Sequence, residues 1–467
     1  MNTLHSHLRL TALALALALA GCASVGPSYQ PPAVDTPVAF KEGQGAWVPA
    51  TPADTLERGP WWTLFNDPVL NGLAERVTLD NQTVAQAVAA YAQARALTAQ
   101  QRASLFPTVG LDVGANRRGG GGDTQSSSSY SVSIGGSWEP DVWGRLRSGV
   151  DAARQGEQAS AADLAAARLS AQGELAADYF GLRGLDVQRG LLAETIKGYQ
   201  RNLQITQNRY TAGIVARTDV LQAQTALSNA QADALSLERQ RAQLEHAIAV
   251  LVGVAPASFS LPAEPTWSIN LAAVPETVPS TLLQRRPDIA AAERRVAAAN
   301  EQIGIAISGY YPSISLNGSV GLGAARIGDL FSASALVWSI GAQLAQTIFN
   351  GGLTGARVDA ARAAHDAASA RYRQTVLSAF QQVEDQLVAS RVLAQQLALR
   401  QQATQAADLV EQQVLNRYTA GQVSYTEVIN AQATALNARR ALVQLQSDRQ
   451  TAAVALIQAL GGGWAGI

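Results

Sequence analysis

The pentapeptide Arg-Tyr-Thr-Ala-Gly occurs twice, at Arg209–Gly213 and Arg417–Gly421. Val-Asp-Ala-Ala-Arg also occurs twice, at Val150–Arg154 and Val358–Arg362. The two pairs share one offset, 417 − 209 = 358 − 150 = 208 residues. A looser pair lies upstream: SLFPTVGLDVG from Ser104 matches GYYPSISLNGS from Gly309. Whatever residues 60–255 fold into, residues 270–467 must therefore fold into again. A period this long lies far beyond the tens of residues of a solenoid repeat and fits two large copies packed about a shared axis. Pro-containing residues 256–269 join the copies, and a Pro/Gly-rich segment, 22–59, precedes them.

Proline placement decides what each copy can contain. Residues 141–255 hold no proline, nor does anything after Pro312, so nothing interrupts long helices there. In AADYFGLRGLDVQRGLLAETIKGYQRNL the apolar residues Leu182, Leu185, Leu192, Ile196, Tyr199 and Leu203 recur three, four or seven apart, broken by Arg189. That is a coiled-coil seam. It predicts a helix from about Gly144 to Tyr210, on the order of 100 Å long, and a second from Gly352 to Tyr418. Shorter helices return from Val220 to about Val252 and from Val428 to about Leu460. Each long helix stops where a glycine can turn left-handed. The two pentapeptides thus mark the tips of helical hairpins, near 209–218 and 417–426.

Two segments switch to a period of two, at about 107–139 and 312–346. Val109, Leu111, Val113 and Ala115 alternate with Thr, Gly and Asp, and Tyr130, Val132, Ile134 and Trp138 alternate with Ser and Gly. Ile314, Leu316, Val320 and Leu322, then Leu336, Trp338, Ile340 and Leu344, do the same. Four strands, apolar on one face and small or polar on the other, meet the requirement of a membrane β-barrel. Phe106, Trp138, Trp143, Tyr310, Tyr311 and Phe349 stand at strand ends, where an interfacial aromatic girdle belongs. Four strands cannot close a barrel, and open edges are not tolerated in lipid; three chains would supply twelve strands.

The first 21 residues read as a signal peptide, with a short apolar run too brief to span a bilayer. Leu19-Ala20-Gly21-Cys22 resembles the bacterial lipoprotein box, which implies covalent diacylglycerol and palmitate at Cys22. Ala23 and Ser24, rather than Asp, follow it, which suggests sorting to the outer membrane. Cys22 is the sole cysteine, so no intramolecular disulfide can form. A net charge of −1 with only 15% charged residues gives no basic surface for nucleic acid. His246 and His365 stand alone in helical stretches, with no nucleophile motif, metal spacing or phosphate loop, so neither catalysis nor a cofactor is expected. A trimeric coiled-coil spacer or adhesin with no conducting pore would share these patterns.

Further stretches carry a resemblance: GCASVGPSYQPP, PWWTLFNDPVLNGL, SWEPDVWGRLR, RRPDIAAAERRVAAANEQIGIAISGYYPSISL and IFNGGL, with the two tips. Together they are similar to the TolC-like outer-membrane efflux factor family, in its lipoprotein (NodT-type) subgroup serving resistance-nodulation-division pumps. The resemblance implies a mainly α fold with a membrane β-barrel portion. A homotrimer would form a 12-stranded barrel in outer-membrane lipid and an α-helical tunnel across the periplasm. A periplasmic adaptor (membrane fusion protein) and an inner-membrane pump would dock at its tips. It implies a periplasmic gate at Glu427, with Asn430 one turn on, and bracing by Thr218 and Asp219 against Tyr418. Val423 stands where a basic partner sometimes sits. Ala212, Gly213, Ile214, Ala420, Gly421 and Gln422 would face the adaptor. Thr218-Asp219 and Thr426-Glu427 also read simply as helix caps.

Overall fold

The computed structural model describes residues 24–35, 40–42, 59–119, 126–268 and 286–462. The signal peptide and Cys22 lie outside these residues. In chain order the elements are α1 (Pro68–Asp80), α2 (Gln82–Ala103), β1 (Thr108–Arg118), β2 (Ser127–Trp138), α3 (Arg145–Thr211) and α4 (Arg217–Leu251). There follow α5 (Pro287–Ser308), β3 (Ser313–Ala324), β4 (Leu336–Ala345), α6 (Leu353–Thr419) and α7 (Tyr425–Ala459). The duplication is visible in the lengths. Helices α2 and α5 have 22 residues each, α3 and α6 have 67, and α4 and α7 have 35. Both long helices begin and end within one residue of the positions the sequence predicts.

The chain forms two compact units, each drawn from both copies. One comprises Met1–Ala33, Ala90–Ala161 and Ala291–Gln374, the other Val34–Ala89, Ala162–Ala290 and Thr375–Ile467. The first unit holds one sheet of order β1-β2-β3-β4, antiparallel throughout. Asp141 starts α3 there, its carboxylate accepting from the backbone N–H groups of Leu146 and Arg147, both at 2.9 Å. These two bonds satisfy donors that a helix start leaves unpaired.

The second unit carries the main core. Helix α1 begins at Pro68, whose ring suits the first helical position, and Asp67 caps it by accepting from the N–H groups of Val69 and Leu70. Leu70, Leu73, Ala74 and Val77, at i, i+3, i+4 and i+7, then form one buried face. They pack with Trp61, Phe65, Leu175, Tyr179, Phe180, Ile248 and Ile457. The Phe65 and Phe180 rings lie 4.9 Å apart. The Tyr179 hydroxyl donates to the free oxygen of Asp67 at 2.7 Å, so one carboxylate serves cap and core.

Within that unit the segment joining the two copies is held by buried charge. Asp186, fully buried, accepts from Arg183 at 3.1 Å, from Arg241 at 2.6 Å and from the backbone N–H of Glu264 at 3.1 Å. Arg183 donates to the carbonyl of Pro262 and Arg241 to that of Leu261, while the Leu261 N–H donates to Glu245. The seam expected on α3 is present, with Leu182, Leu192 and Tyr199 buried. Its buried charges are Arg183 and Asp186; Arg189, which the heptad marks as the interruption, is half-buried.

Candidate channel wall and hairpin tips

Strand register sorts the four strands into two chemically different faces. Leu111 pairs with Ile134, Ile134 with Val320, and Val320 with Trp338. Val113, Val132, Leu322 and Leu336 form the next rung. The opposite face carries Gly110, Gly135, Ser319 and Ser339 in one rung and Thr108, Ser137, Asn317 and Gly341 in another. The serines of the last strand pair interact directly, Ser319 to Ser339 at 2.8 Å. The apolar face is open within the chain: Val113 is 73%, Trp338 71% and Ile340 83% exposed. Among the described residues, strands β1 and β4 each leave one edge unpaired. A sheet this greasy on one face, with two free edges, needs both lipid and further strands.

The six aromatics stand along one end of this sheet, before β1 and β3 and at or after the ends of β2 and β4. Phe106, Tyr310 and Phe349 are exposed, and Trp138 and Tyr311 less so. Trp138 donates its indole N–H to the carbonyl of Leu105. Trp143 turns into the protein, stacking on Tyr311 at 4.8 Å and donating to the carbonyl of Pro312 at 2.7 Å. Phe331 and Ile327, in the loop between β3 and β4, are also highly exposed; the sequence reading did not single them out.

The tips belong to the second unit. Helix α3 ends in a left-handed Gly213 (φ 70°), with the Gly213 N–H donating to Tyr210 and the Ile214 N–H to Arg209. Helix α6 ends identically at Gly421 (φ 74°), bonded to Tyr418, with Gln422 bonded to Arg417. This double bond is the Schellman arrangement, which closes a helix and needs positive φ at the glycine. Ala212, Gly213, Ile214, Ala420, Gly421 and Gln422 are all exposed.

The return helices start two residues earlier than an N-cap role for Thr218 or Thr426 requires. Ala216 and Ser424 are the N-cap residues, and neither makes a side-chain cap bond. Thr218-Asp219 and Thr426-Glu427 thus occupy the second and third helical positions, which corrects the cap reading. Asp219 and Glu427 remain in the first turn, where the helix dipole favours a negative charge. Glu427 is exposed. Thr218 and Asn430 meet in a groove of about 550 Å³ between α4 and α7, with Gln222 and Thr426; Thr426 donates to Gln222 at 3.2 Å.

Tyr418 lies elsewhere, buried among Ala223, Tyr425 and Val428. The Arg209 guanidinium sits 4.8 Å above its ring, and Tyr425 is 5.4 Å away. Arg from the first pentapeptide therefore covers Tyr from the second, a cation–π contact joining the two tips. Burial first, and then the neighbouring Tyr418, push the Tyr425 hydroxyl up to about 12. The Tyr418 hydroxyl is buried with no hydrogen-bond partner, so it is not bonded to Thr218 or Asp219 within the chain. Among the described residues no group of His, Cys, Asp and Glu could hold a metal ion, and no helix is long and apolar enough to cross a membrane.

An amphipathic four-stranded sheet with two free edges, joined in one chain to paired helical hairpins, defines a β-barrel channel protein with helical extensions. Comparison with known proteins agrees. The chain matches the family model described as outer membrane efflux protein over residues 73–254 and 278–462. It is 32% identical to the probable efflux pump outer membrane protein TtgC of Pseudomonas putida, over 96% of this chain and 94% of that protein. It is 28% identical to the cation efflux system protein CusC of Escherichia coli K12, over 97% and 99%. Among solved structures it is similar to the outer-membrane channel OprN, with 30% identity, a TM-score of 0.85, and 95% of this chain and 100% of that one covered. The open MtrE outer membrane channel of Neisseria gonorrhoeae gives 29%, 0.82, 94% and 98%. The chain belongs to the outer membrane efflux protein family: it is an outer-membrane efflux channel.

Proposed function

We propose that three copies close into a 12-stranded barrel whose apolar face meets outer-membrane lipid and whose polar face lines a water-filled conduit. The observation that carries this is the sheet, with every strand contributing to one greasy face and both edges unpaired among the described residues. The helical hairpins extend the conduit into the periplasm. A periplasmic adaptor and an inner-membrane resistance-nodulation-division pump engage the tips at Ala212–Ile214 and Ala420–Gln422, whose exposure supports such a contact. Glu427, with Asn430 one turn on, lines the closed aperture; Thr218 and Asp219 brace it. Tyr418, with a buried hydroxyl lacking a partner in its own chain, supports a change of tip packing on opening. Cys22 carries the lipid anchor, and a channel rather than an enzyme is the role the relatives' names support.

Cysteine pairs scanned along β1 and β4 in a Cys22→Ser background test the closure. Oxidation yields covalent trimers for pairs in register. Only monomers across the whole scan, from protein that is folded in the outer membrane, would overturn the trimer.

A further inference from the structure

Among the differences between the two copies in the sheet-bearing unit, one pair of substitutions opens a pocket. Helices α2 and α5 align with an offset of 287 − 82 = 205, which places Gln101 opposite Ala306. Helices α3 and α6 align with an offset of 353 − 145 = 208, which places Gly149 opposite Arg357. In the first copy Gln101 lies against Gly149 so closely that a Cβ there would stand 2.5 Å from its Nε2. In the second copy both partners are changed: a small Ala306 leaves the space empty, and a cation faces it.

The resulting cavity, about 750 Å³, is lined by Arg145, Gln302, Ser308, Tyr311, Asn350, Thr354 and Arg357, among others, and by no carboxylate. Ser313 and Ala345 also line it. They pair with one another and belong to the polar face of the sheet, with Ser315, Asn317 and Ser319. The cavity therefore opens on the side proposed above to hold water. Arg145 is matched by Glu139, its Nη2 donating to both oxygens at 2.7 Å. Arg357 is exposed and pairs with no acid among the described residues. The pocket thus presents one uncompensated guanidinium amid neutral hydrogen-bonding groups, a setting that favours a carboxylate or phosphate able to accept a forked pair of bonds.

The geometry points to an organic-anion binding site on the wall of the conduit, centred on Arg357 and supported by Arg145, Gln302 and Asn350. It rests on the reading of the chain as a conduit, and it assigns to the second copy alone a contact with cargo bearing carboxylate or phosphate groups. Its test uses the full-length protein in detergent with 6-carboxyfluorescein as the probe, read by fluorescence anisotropy. Saturable binding is expected, weakened about tenfold or more by Arg357→Gly, as loss of a charge-assisted contact implies. Arg357→Lys keeps part of it. Ala306→Gln with Arg357→Gly, which rebuilds the pair found in the first copy, removes binding while thermal melting is unchanged. The cationic dye rhodamine 6G is indifferent to all three. Equal carboxyfluorescein affinity in wild type and Arg357→Gly, or none in wild type, overturns the site. Conductance of the same samples in planar bilayers separates the two readings: Arg357-dependent binding without conductance sinks the conduit and leaves the site standing.

Discussion

Removing the carboxylate of Asp186 is the sharpest test of what holds the joining segment against the first copy. Asp186→Ala leaves Arg183, 3% exposed at its side chain, and Arg241, 10% exposed, without their shared counter-ion. Breaking a buried ion pair from one side costs about 3–5 kcal/mol. The orphaned Glu264 N–H adds about 1 kcal/mol. Two contacts offset part of this, because Arg241 keeps Glu245 at 3.1 Å and Arg183 keeps Glu264 at 3.7 Å. The net expectation is a loss of about 3 kcal/mol. Guanidinium unfolding in detergent, followed by far-UV circular dichroism, reads it as a lower midpoint with an unchanged slope. The triple variant Arg183→Met, Asp186→Leu and Arg241→Met, which removes charge and counter-charge together, recovers most of the loss. A single-variant loss below about 1 kcal/mol would show that the network contributes no more than an exposed pair does and refute the reasoning.

Adjacent residues on β4 should respond oppositely to charge. Ile340→Arg places a cation on the greasy face at a cost of about 2–4 kcal/mol near mid-membrane, and should sharply lower outer-membrane assembly by fractionation; Ser339→Arg, on the polar face, should assemble normally and change single-channel conductance. Gly421→Val has open space around its Cβ but demands a side chain at φ 74°, so it should lower the melting temperature and abolish efflux, whereas Gly421→Asn, tolerant of that conformation, should retain more of both. Asp178 has its carboxyl raised to about 6, by burial first and then by Glu174. A folded-state value above the unfolded one means stability is lost as pH rises from about 4 through 6; Asp178→Asn should therefore raise the melting temperature at pH 7.5 and make no difference at pH 4. Glu427→Ala should raise leak and conductance in planar bilayers, and an unchanged conductance would remove Glu427 from the gate.

Much of this fold was legible because its signals are periodic and local. A run without proline, a heptad seam and a terminal glycine fix the ends of α3 and α6 to within a residue. Strict alternation likewise set both faces of the sheet, since strand register follows the greasy face. Less legible were features that depend on which residues meet across the chain. Arg183 and Asp186 sit within an apolar stretch at i and i+3, which is a signal, but their partners Arg241 and Glu264 could not be paired by spacing. The return helices start at Arg217 and Tyr425, three residues before Val220 and Val428, because Ala216 and Ser424 make no side-chain cap bond that would mark the start. The spacing of Tyr418 likewise gives no sign that its ring packs within the chain between Arg209 and Tyr425. The contact of Gln101 with Gly149, which has no counterpart at Ala306 and Arg357, also depends on packing that spacing does not encode.

A conduit lined by the polar face of the sheet must carry ions. Single-channel recording of the purified full-length protein in planar bilayers measures it directly. Discrete, uniform conductance steps are expected, whose size falls when bulk is placed on the polar face, as in Ser319→Trp, and not when it is placed on the apolar face, as in Val320→Trp. Folded, membrane-inserted protein that gives no steps, or steps indifferent to Ser319→Trp, would contradict it.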